Sequence, residues 1–143
     1  MSDITLNTNL ASEYYVLSML YRLGINSYLT LGNKKSVDII VDKKGKILTI
    51  DVKGLKGKSN FPINKDFLIA ENHFFVFVSF LDQINNPSCI PEVYVVPSAD
   101  LNKKWKETGN KSLVTKFANR YGVELKNLRK VRRNFRDKWS HIN

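Results

Sequence analysis

Three charged side chains in one short segment have the types and the spacing of a cation-binding site. Asp38 lies in one run of alternating aliphatic residues, and Asp51 and Lys53 lie in the next run. Because Asp51 and Lys53 are two residues apart, an extended strand would point both side chains to the same face. Carboxylates suit Mg²⁺ or Mn²⁺, and a lysine beside them can stabilise negative charge that develops on a phosphate. The pattern therefore indicates metal-assisted hydrolysis of a phosphodiester bond.

The aliphatic residues around these charges predict a β-hairpin over residues 36–53. They alternate along both runs, at Val37, Ile39 and Val41 and then at Leu48, Ile50 and Val52. If all six share one face of a sheet, Ile39 faces Ile50 and Val37 faces Val52. The same register makes Asp38 face Asp51 on the opposite face, with Cβ atoms about 5 Å apart, where the two carboxylates repel each other unless a cation lies between them. The connecting loop is either Lys44-Gly45 or the four residues from Lys43 to Lys46.

A third carboxylate lies on a predicted helix upstream of the hairpin. Leu10 to Leu23 has helical periodicity, and Gly24 follows where a left-handed residue commonly ends a helix. Glu13 falls on the apolar side of this helix, where an unpaired carboxylate is costly to bury. One interpretation is that Glu13 joins the two aspartates at the cation. The other is that the helix dipole stabilises Glu13 near the N-terminus and its side chain points to solvent.

The segments on either side of the hairpin predict further strands of one sheet. These strands are Asn26 to Leu31, Phe74 to Leu81 and Glu92 to Val96. A flexible basic loop with Lys56 and Lys58 follows the hairpin, and residues 61–72 predict a loop with room for one short helix. His73 has no partner at the spacing of metal ligands, so we interpret it as a structural residue.

The C-terminal part of the chain, from about residue 98, predicts helices with a basic surface. We expect a short helix with Ser98 as its N-cap, running through Leu101 to about Glu107. A second helix would be capped by Ser112 and run to Tyr121, and a longer one would run from Val123 to Trp139. The basic residues of the longer helix that would contact a polyanion are Lys126, Arg129, Lys130, Arg132, Arg133 and Arg136.

The charge of the chain is concentrated in this C-terminal part. The net charge is +10, but residues 1–100 carry ten Lys and Arg against ten Asp and Glu. Residues 101–143 carry thirteen basic residues against three acidic ones. Such asymmetry indicates a polyanionic partner, nucleic acid before an anionic membrane surface. The alternative is a solvated basic face with no partner.

Length and composition predict one globular domain over residues 1–143. The hydrophobic share of 43% is ordinary for such a domain, and Cys89 is the single cysteine, so an internal disulfide is excluded. The N-terminus lacks a basic segment followed by an apolar core, and no apolar run has the length of a membrane span. We therefore expect a cytoplasmic protein that does not cross a membrane.

The residues Glu13, Asp38, Asp51 and Lys53, in this order, resemble the PD-(D/E)xK nuclease superfamily, which includes restriction-endonuclease-like and Holliday-junction-resolvase-like enzymes. The resemblance covers residues 10 to about 96. It implies an α/β fold with a mixed central β-sheet flanked by helices. The expected order is helix, strand, strand, strand, helix, strand, followed by the basic helical C-terminal extension at about residues 98–143.

The resemblance also implies a role for each residue of the motif. Asp38 and Asp51 would be metal ligands, the Val52 carbonyl a third ligand, Glu13 an acidic ligand or water-holding group, and Lys53 the motif lysine. Val37 stands where the name of the superfamily has proline, and Asp51 stands where glutamate is commoner. The second departure would alter the geometry of the metal site.

The sequence thus predicts a nuclease that depends on Mg²⁺ or Mn²⁺ and hydrolyses phosphodiester bonds in DNA, with branched or junction DNA among the candidate substrates. The loop with Lys56 and Lys58 and the basic C-terminal residues would hold phosphates. A homodimer would suit the cutting of two strands. One alternative is a catalytically silent nucleic-acid-binding or assembly module on the same fold, and another is a basic α/β domain without such a partner.

Overall fold

The fold is described from a computed structural model that covers residues 3–30 and 37–143. The helices and strands are α1 (Asp3–Arg22), β1 (Ser27–Leu29), β2 (Ile39–Lys43), β3 (Lys46–Leu55), β4 (Asn60–Ile63), β5 (His73–Ser79), β6 (Glu92–Pro97), β7 (Val114–Phe117), β8 (Arg120–Glu124), α2 (Leu125–Lys130) and α3 (Arg132–Phe135). Single 3₁₀ turns span Ser98–Leu101, Lys106–Thr108 and Trp139–His141. Leu31 and Ser36, at the ends of two predicted strands, lie outside the described residues.

The main sheet has five strands in the order β1-β2-β3-β5-β6. Strands β3 and β5 are parallel and the other neighbours are antiparallel, which confirms the predicted mixed sheet. The predicted hairpin register is confirmed where Ile39 pairs with Ile50. Its loop is the two-residue alternative, in which Lys44 and Gly45 have φ angles of 52° and 88°. Both angles are positive, as the tight hairpin turn requires.

One face of the main sheet packs on α1. The alternate aliphatic residues of β2 and β3, including Ile39 and Ile50, form a core with Val16 and Leu20 of the helix. At the end of β3 the helix approaches the strand so closely that a Cβ atom at Gly54 would overlap the Ser12 side chain. The predicted first helix is therefore confirmed, although it begins earlier, at Asp3.

The other face of the main sheet is covered only in part. Its cover lies over β5 and β6. Strands β4, β8 and β7, in this order, form a second antiparallel sheet. This sheet and the two short helices pack on β5 and β6, as in the contact of Phe61 with Phe77, whose ring centroids are 5.1 Å apart. Asp51 and Lys53 on β3 lie on the same face, and their side chains remain 20% and 28% exposed. The cover thus leaves this part of β3 accessible to solvent.

Two predictions for the region after the hairpin are wrong. Strand β4 stands where the predicted order has a helix. The predicted helix from Ser112 to Tyr121 is a β-hairpin, formed by β7 and β8. The cause is tertiary, because Val114 and Val123 pair across the hairpin and pack on the same core as β4. Alternate burial of β-branched residues favours strands over helical periodicity here.

The prediction of a long C-terminal helix from Val123 to Trp139 is also wrong. It is broken at Val131, whose φ of −110° and ψ of 25° separate α2 from α3. Leu128, Val131 and Phe135, which lie before, at and after the break, are all buried. The short helix predicted to begin at the Ser98 cap and to run to about Glu107 is likewise replaced by two 3₁₀ turns, Ser98–Leu101 and Lys106–Thr108. The C-terminal region is therefore a mixture of strands and single helical turns, not a helical extension.

The described part of the chain holds no helix that is long and apolar enough to span a membrane.

Candidate active site

The candidate site begins at an irregular hydrogen bond where the chain enters β2. The Ile50 carbonyl accepts a hydrogen bond of 2.9 Å from the Asp38 N–H, although Ile50 pairs with Ile39. Residues 38 and 39 thus face one residue of β3, which is the two-against-one arrangement of a β-bulge. The ladder of described pairs ends at Ile39, so the predicted facing of Val37 with Val52 does not form. Asp38 and Asp51 are consequently neighbours across a bulge and not a regular cross-strand pair.

The Asp38 carboxylate takes the place of a backbone partner for Val52. Its Oδ2 atom accepts a hydrogen bond from the Val52 N–H at 2.7 Å. The bond crosses from the bulge to β3, so it holds the Asp38 carboxylate next to Asp51. Because the N–H and C=O of one strand residue point to the same side, the Val52 carbonyl also faces the bulged edge. The bulge therefore directs a carboxylate and a carbonyl to one place.

Asp51 and Lys53 lie on the same face of β3, as their spacing predicts. The Lys53 Nζ atom is 3.4 Å from the Asp51 Oδ1 atom, which makes an ion pair. Both side chains are partly exposed, at the boundary between the buried sheet and solvent. The ammonium group can thus reach a phosphate oxygen while it remains beside the carboxylate.

The pKa of the Asp51 carboxyl is raised from 3.8 to about 6. Burial is the largest cause and raises the pKa, the Lys53 ammonium lowers it, and the charge of Asp38 and a hydrogen bond between the two carboxyl groups raise it again. A hydrogen bond between two carboxyl groups requires a shared proton. A divalent cation can take the place of that proton. Asp38 and Asp51, with the Val52 carbonyl, therefore fit a hard cation such as Mg²⁺, which binds few protein oxygens and keeps several waters.

Glu13 is half-buried on α1, immediately after the Ser12 side chain that packs on Gly54. Within residues 3–30 and 37–143, no three Asp, Glu, His or Cys side chains form a group that could hold a metal ion. The structure thus brings Asp38 and Asp51 together, and it does not add Glu13 to them as a third ligand in one cluster. A role for Glu13 at the cation stays a prediction.

Buried His73 and partly buried Thr49 form a hydrogen-bonded pair on the same face as Asp51. The His73 Nδ1 atom is 2.7 Å from the Thr49 Oγ1 atom, and the two residues pair across β3 and β5. Burial lowers the pKa of His73, and the charge of Asp38 raises it to a smaller extent. His73 is only 1% exposed, which agrees with its interpretation as a structural residue. The sequence contains no signal for its pairing with Thr49.

Arg129, one of the predicted nucleic-acid-binding residues, makes a two-pronged ion pair within the protein. Its Nε and second guanidinium nitrogen donate to the Glu92 carboxylate at 2.8 and 3.0 Å. The Tyr94 hydroxyl donates to the same carboxylate at 2.6 Å. The Arg129 hydrogen bond is the largest cause that lowers the pKa of Glu92. Arg129 therefore anchors α2 to β6, whatever else it contacts.

The other predicted phosphate-binding residues are more accessible. Lys126 makes an exposed ion pair with Glu124 at 3.3 Å. The remaining members of the predicted set have exposed side chains, at Lys56, Lys58, Lys130, Arg132, Arg133 and Arg136. Their contact with nucleic acid stays a prediction.

Comparison with known proteins gives little information about the activity of this chain. No family model matches the chain, and no curated protein matches it. Among solved structures, the chain is similar to a bacterial homing endonuclease, I-Ssp6803I, at 17% sequence identity and a TM-score of 0.43. That similarity covers 69% of this chain and 68% of the other chain. A similarity of this size carries no inference, so the proposed activity has to rest on the site itself.

Proposed function

We propose that the protein is a nuclease that depends on Mg²⁺ or Mn²⁺ and hydrolyses phosphodiester bonds in DNA. The observation that supports the proposal most directly is the convergence of Asp38, Asp51 and Lys53 at the bulge. The resemblance of these residues to the PD-(D/E)xK superfamily implies the same roles. The exposed basic residues of the C-terminal region would bind the phosphate backbone without regard to sequence.

Asp38 and Asp51 would hold the cation, together with the Val52 carbonyl. A bound divalent cation supplies Lewis-acid polarisation of the scissile phosphate and a more acidic water. The hydrogen bond from the Val52 N–H keeps the Asp38 carboxylate in place, so the ligands are positioned before the substrate arrives. The Lys53 ammonium would orient the attacking water or stabilise the additional negative charge of the transition state.

The proposal is tested by incubating the protein with branched, single-stranded and linear duplex DNA in the presence of Mg²⁺ or Mn²⁺. We expect cleavage of at least one substrate by the wild type, and a loss of at least about 100-fold in Asp51→Ala and in Lys53→Ala. Asp66→Asn is the matched control, because Asp66 is an exposed carboxylate outside the site, and it should cleave like the wild type.

Two outcomes would contradict the proposal. Cleavage that persists in Asp51→Ala would point to a contaminating nuclease or to another site. DNA binding without cleavage of any substrate would favour the catalytically silent module.

A further inference from the structure

The second sheet has an outer face that the core does not use. Its inner face packs on the main sheet through Phe61, Ile63 and Val123, with Val114 and Tyr121 partly buried beside them. Because side chains alternate along a strand, the residues between these positions point away from the core. On β7 and β8 the residues of this face are Thr115 and Phe117, and Arg120 and Gly122. Phe117 and Arg120 are exposed, whereas Gly122 and the Thr115 hydroxyl are buried.

Phe117 is an aromatic side chain that this outer face supports but does not bury. It is 42% exposed. A Cβ atom at Gly122 would lie 3.5 Å from the Cε2 atom of Phe117, so the ring lies against the backbone of β8 at this glycine. The absence of a side chain at Gly122 makes room for the ring. Phe117 thus offers an open aromatic surface that is supported from behind by the sheet.

The aromatic ring lies beside a cationic side chain at the tip of the hairpin. Phe117 pairs directly with Arg120, so the two side chains share the outer face. Both side chains are exposed. Among the described residues, Arg120 belongs to no ion pair. Lys116 is exposed as well, but strand alternation points it to the other face of the hairpin, with Tyr121. The tip therefore combines an aromatic surface with an adjacent positive charge.

An exposed aromatic ring beside a basic side chain is typical of proteins that bind single-stranded nucleic acid. Aromatic side chains on a sheet surface stack on unpaired bases, and adjacent basic side chains contact the phosphates. We propose that the tip of the β7–β8 hairpin binds an unpaired nucleotide, with its base stacked on Phe117 and its phosphate at Arg120. The proposal rests on the proposed function only in that the partner is nucleic acid, and it gives the substrate an unpaired segment.

The test is equilibrium binding without metal, so that it does not depend on cleavage. The probes are a fluorescein-labelled oligothymidylate and a blunt-ended duplex of equal length, measured by anisotropy in EDTA over a range of salt concentrations. We expect Phe117→Ala to weaken binding of the oligothymidylate about 10-fold and to leave duplex binding nearly unchanged. Phe117→Trp should retain the oligothymidylate affinity, because it preserves the aromatic surface.

Two further variants separate stacking from other effects. Arg120→Gln should weaken binding of the oligothymidylate and reduce the slope of log K against log salt, since it removes a phosphate contact. Tyr14→Ala removes an aromatic side chain of similar exposure, 58%, from α1 on the opposite side of the main sheet. It should bind both probes like the wild type. Thermal unfolding of each variant shows whether the fold is retained.

Three results would overturn the proposal. The first is a folded Phe117→Ala variant that binds the oligothymidylate like the wild type, and the second is an equal loss for both probes, which indicates a groove contact. The third is a wild type that binds neither probe. A wild type that binds the oligothymidylate through Phe117 but cleaves no DNA would refute the nuclease activity and leave this site intact.

Discussion

The carboxylate of Asp38 and the backbone N–H of Val52 are joined by a hydrogen bond of 2.7 Å that bridges a β-bulge. Asp38 thereby occupies a fixed position beside Asp51 before any ligand binds. The cost is electrostatic, because two carboxyl groups are held together in a partly buried place. A divalent cation bound between the two carboxylates would remove that cost.

Mg²⁺ should stabilise the wild type against heat. At about 100 times its Kd, a ligand adds about 2.7 kcal/mol to the free energy of unfolding. For a chain of this size, that increase corresponds to a rise in Tm of about 5–10 °C. Asp51→Asn should lose most of this rise and Asp66→Asn should keep it, as measured by calorimetry with and without Mg²⁺. An equal rise in all three proteins would place the Mg²⁺ elsewhere.

The pKa of Asp51 gives its contribution to stability a definite dependence on pH. Since the pKa is raised to about 6 in the folded protein, its contribution is full below the unfolded value of 3.8 and is lost as the pH rises through 6. Without metal, Asp51→Asn should therefore be more stable than the wild type at pH 7 by about 2 kcal/mol. Urea unfolding should show that this difference decreases towards pH 4. A difference that is constant from pH 4 to pH 7 would contradict the raised pKa.

Arg129 should matter for stability more than the other C-terminal arginines. Arg129→Ala leaves the Glu92 carboxylate, which is 6% exposed, without its cationic partner. We expect a loss of about 2–3 kcal/mol in the free energy of unfolding, compared with less than about 0.5 kcal/mol for Arg133→Ala. Urea unfolding at pH 7 measures both.

The Glu92 pair also has an acid limit. Because the pKa of Glu92 is lowered in the folded protein, its contribution is present above the unfolded value of 4.5 and is lost as the pH falls through the folded value. The difference between Arg129→Ala and the wild type should shrink on acidification. If Arg129→Ala were as stable as the wild type at pH 7, the ion pair would not contribute to the free energy of unfolding. Binding of nucleic acid would then be the only role left for Arg129.

Gly54 should not tolerate a side chain. Its Cβ position coincides with the Ser12 side chain and lies 3.1 Å from the Thr8 carbonyl oxygen. Gly54→Ala should therefore push α1 away from β3 and lower the free energy of unfolding by about 2 kcal/mol. Gly57→Ala is the matched control, because its nearest neighbour at 3.0 Å is the flexible end of Asp82, which can move aside. Equal effects of the two substitutions would indicate that α1 does not pack this closely on β3.

Local pattern was sufficient for the parts of the fold that contain the motif. The period-2 alternation of Ile39, Val41, Leu48 and Ile50 correctly predicted the hairpin register, because a slip of one residue would move every aliphatic side chain to the wrong face. The same reasoning placed Asp51 and Lys53 on one face. It could not predict the bulge at Asp38, because one extra residue at the end of a ladder leaves no pattern in so short a run.

The C-terminal region shows the limit of local pattern most clearly. Ser112 as a cap and Gly122 as an end signal predict a helix here. Instead, Val114 and Val123 pair as strand residues, because β4 offers an edge to pair with and the main sheet offers a core to cover. A predicted helix over this segment gives no indication that Phe117 is exposed on the surface of a sheet. The net charge predicts a basic surface here, but in the folded protein the Arg129 guanidinium forms an ion pair with Glu92.

Local sequence was thus enough to establish the types and spacing of the charged residues, the register of the hairpin around them and the basic bias of the C-terminal region. These properties follow from the period of a strand and from composition, which are local. Three other features required the folded chain: Asp38 meets Asp51 across a bulge, Arg129 pairs with a carboxylate far away in the chain, and Phe117 is exposed on a β-hairpin. Each of these depends on contacts between distant segments, whose free energy is set by what the fold buries and not by neighbouring residues.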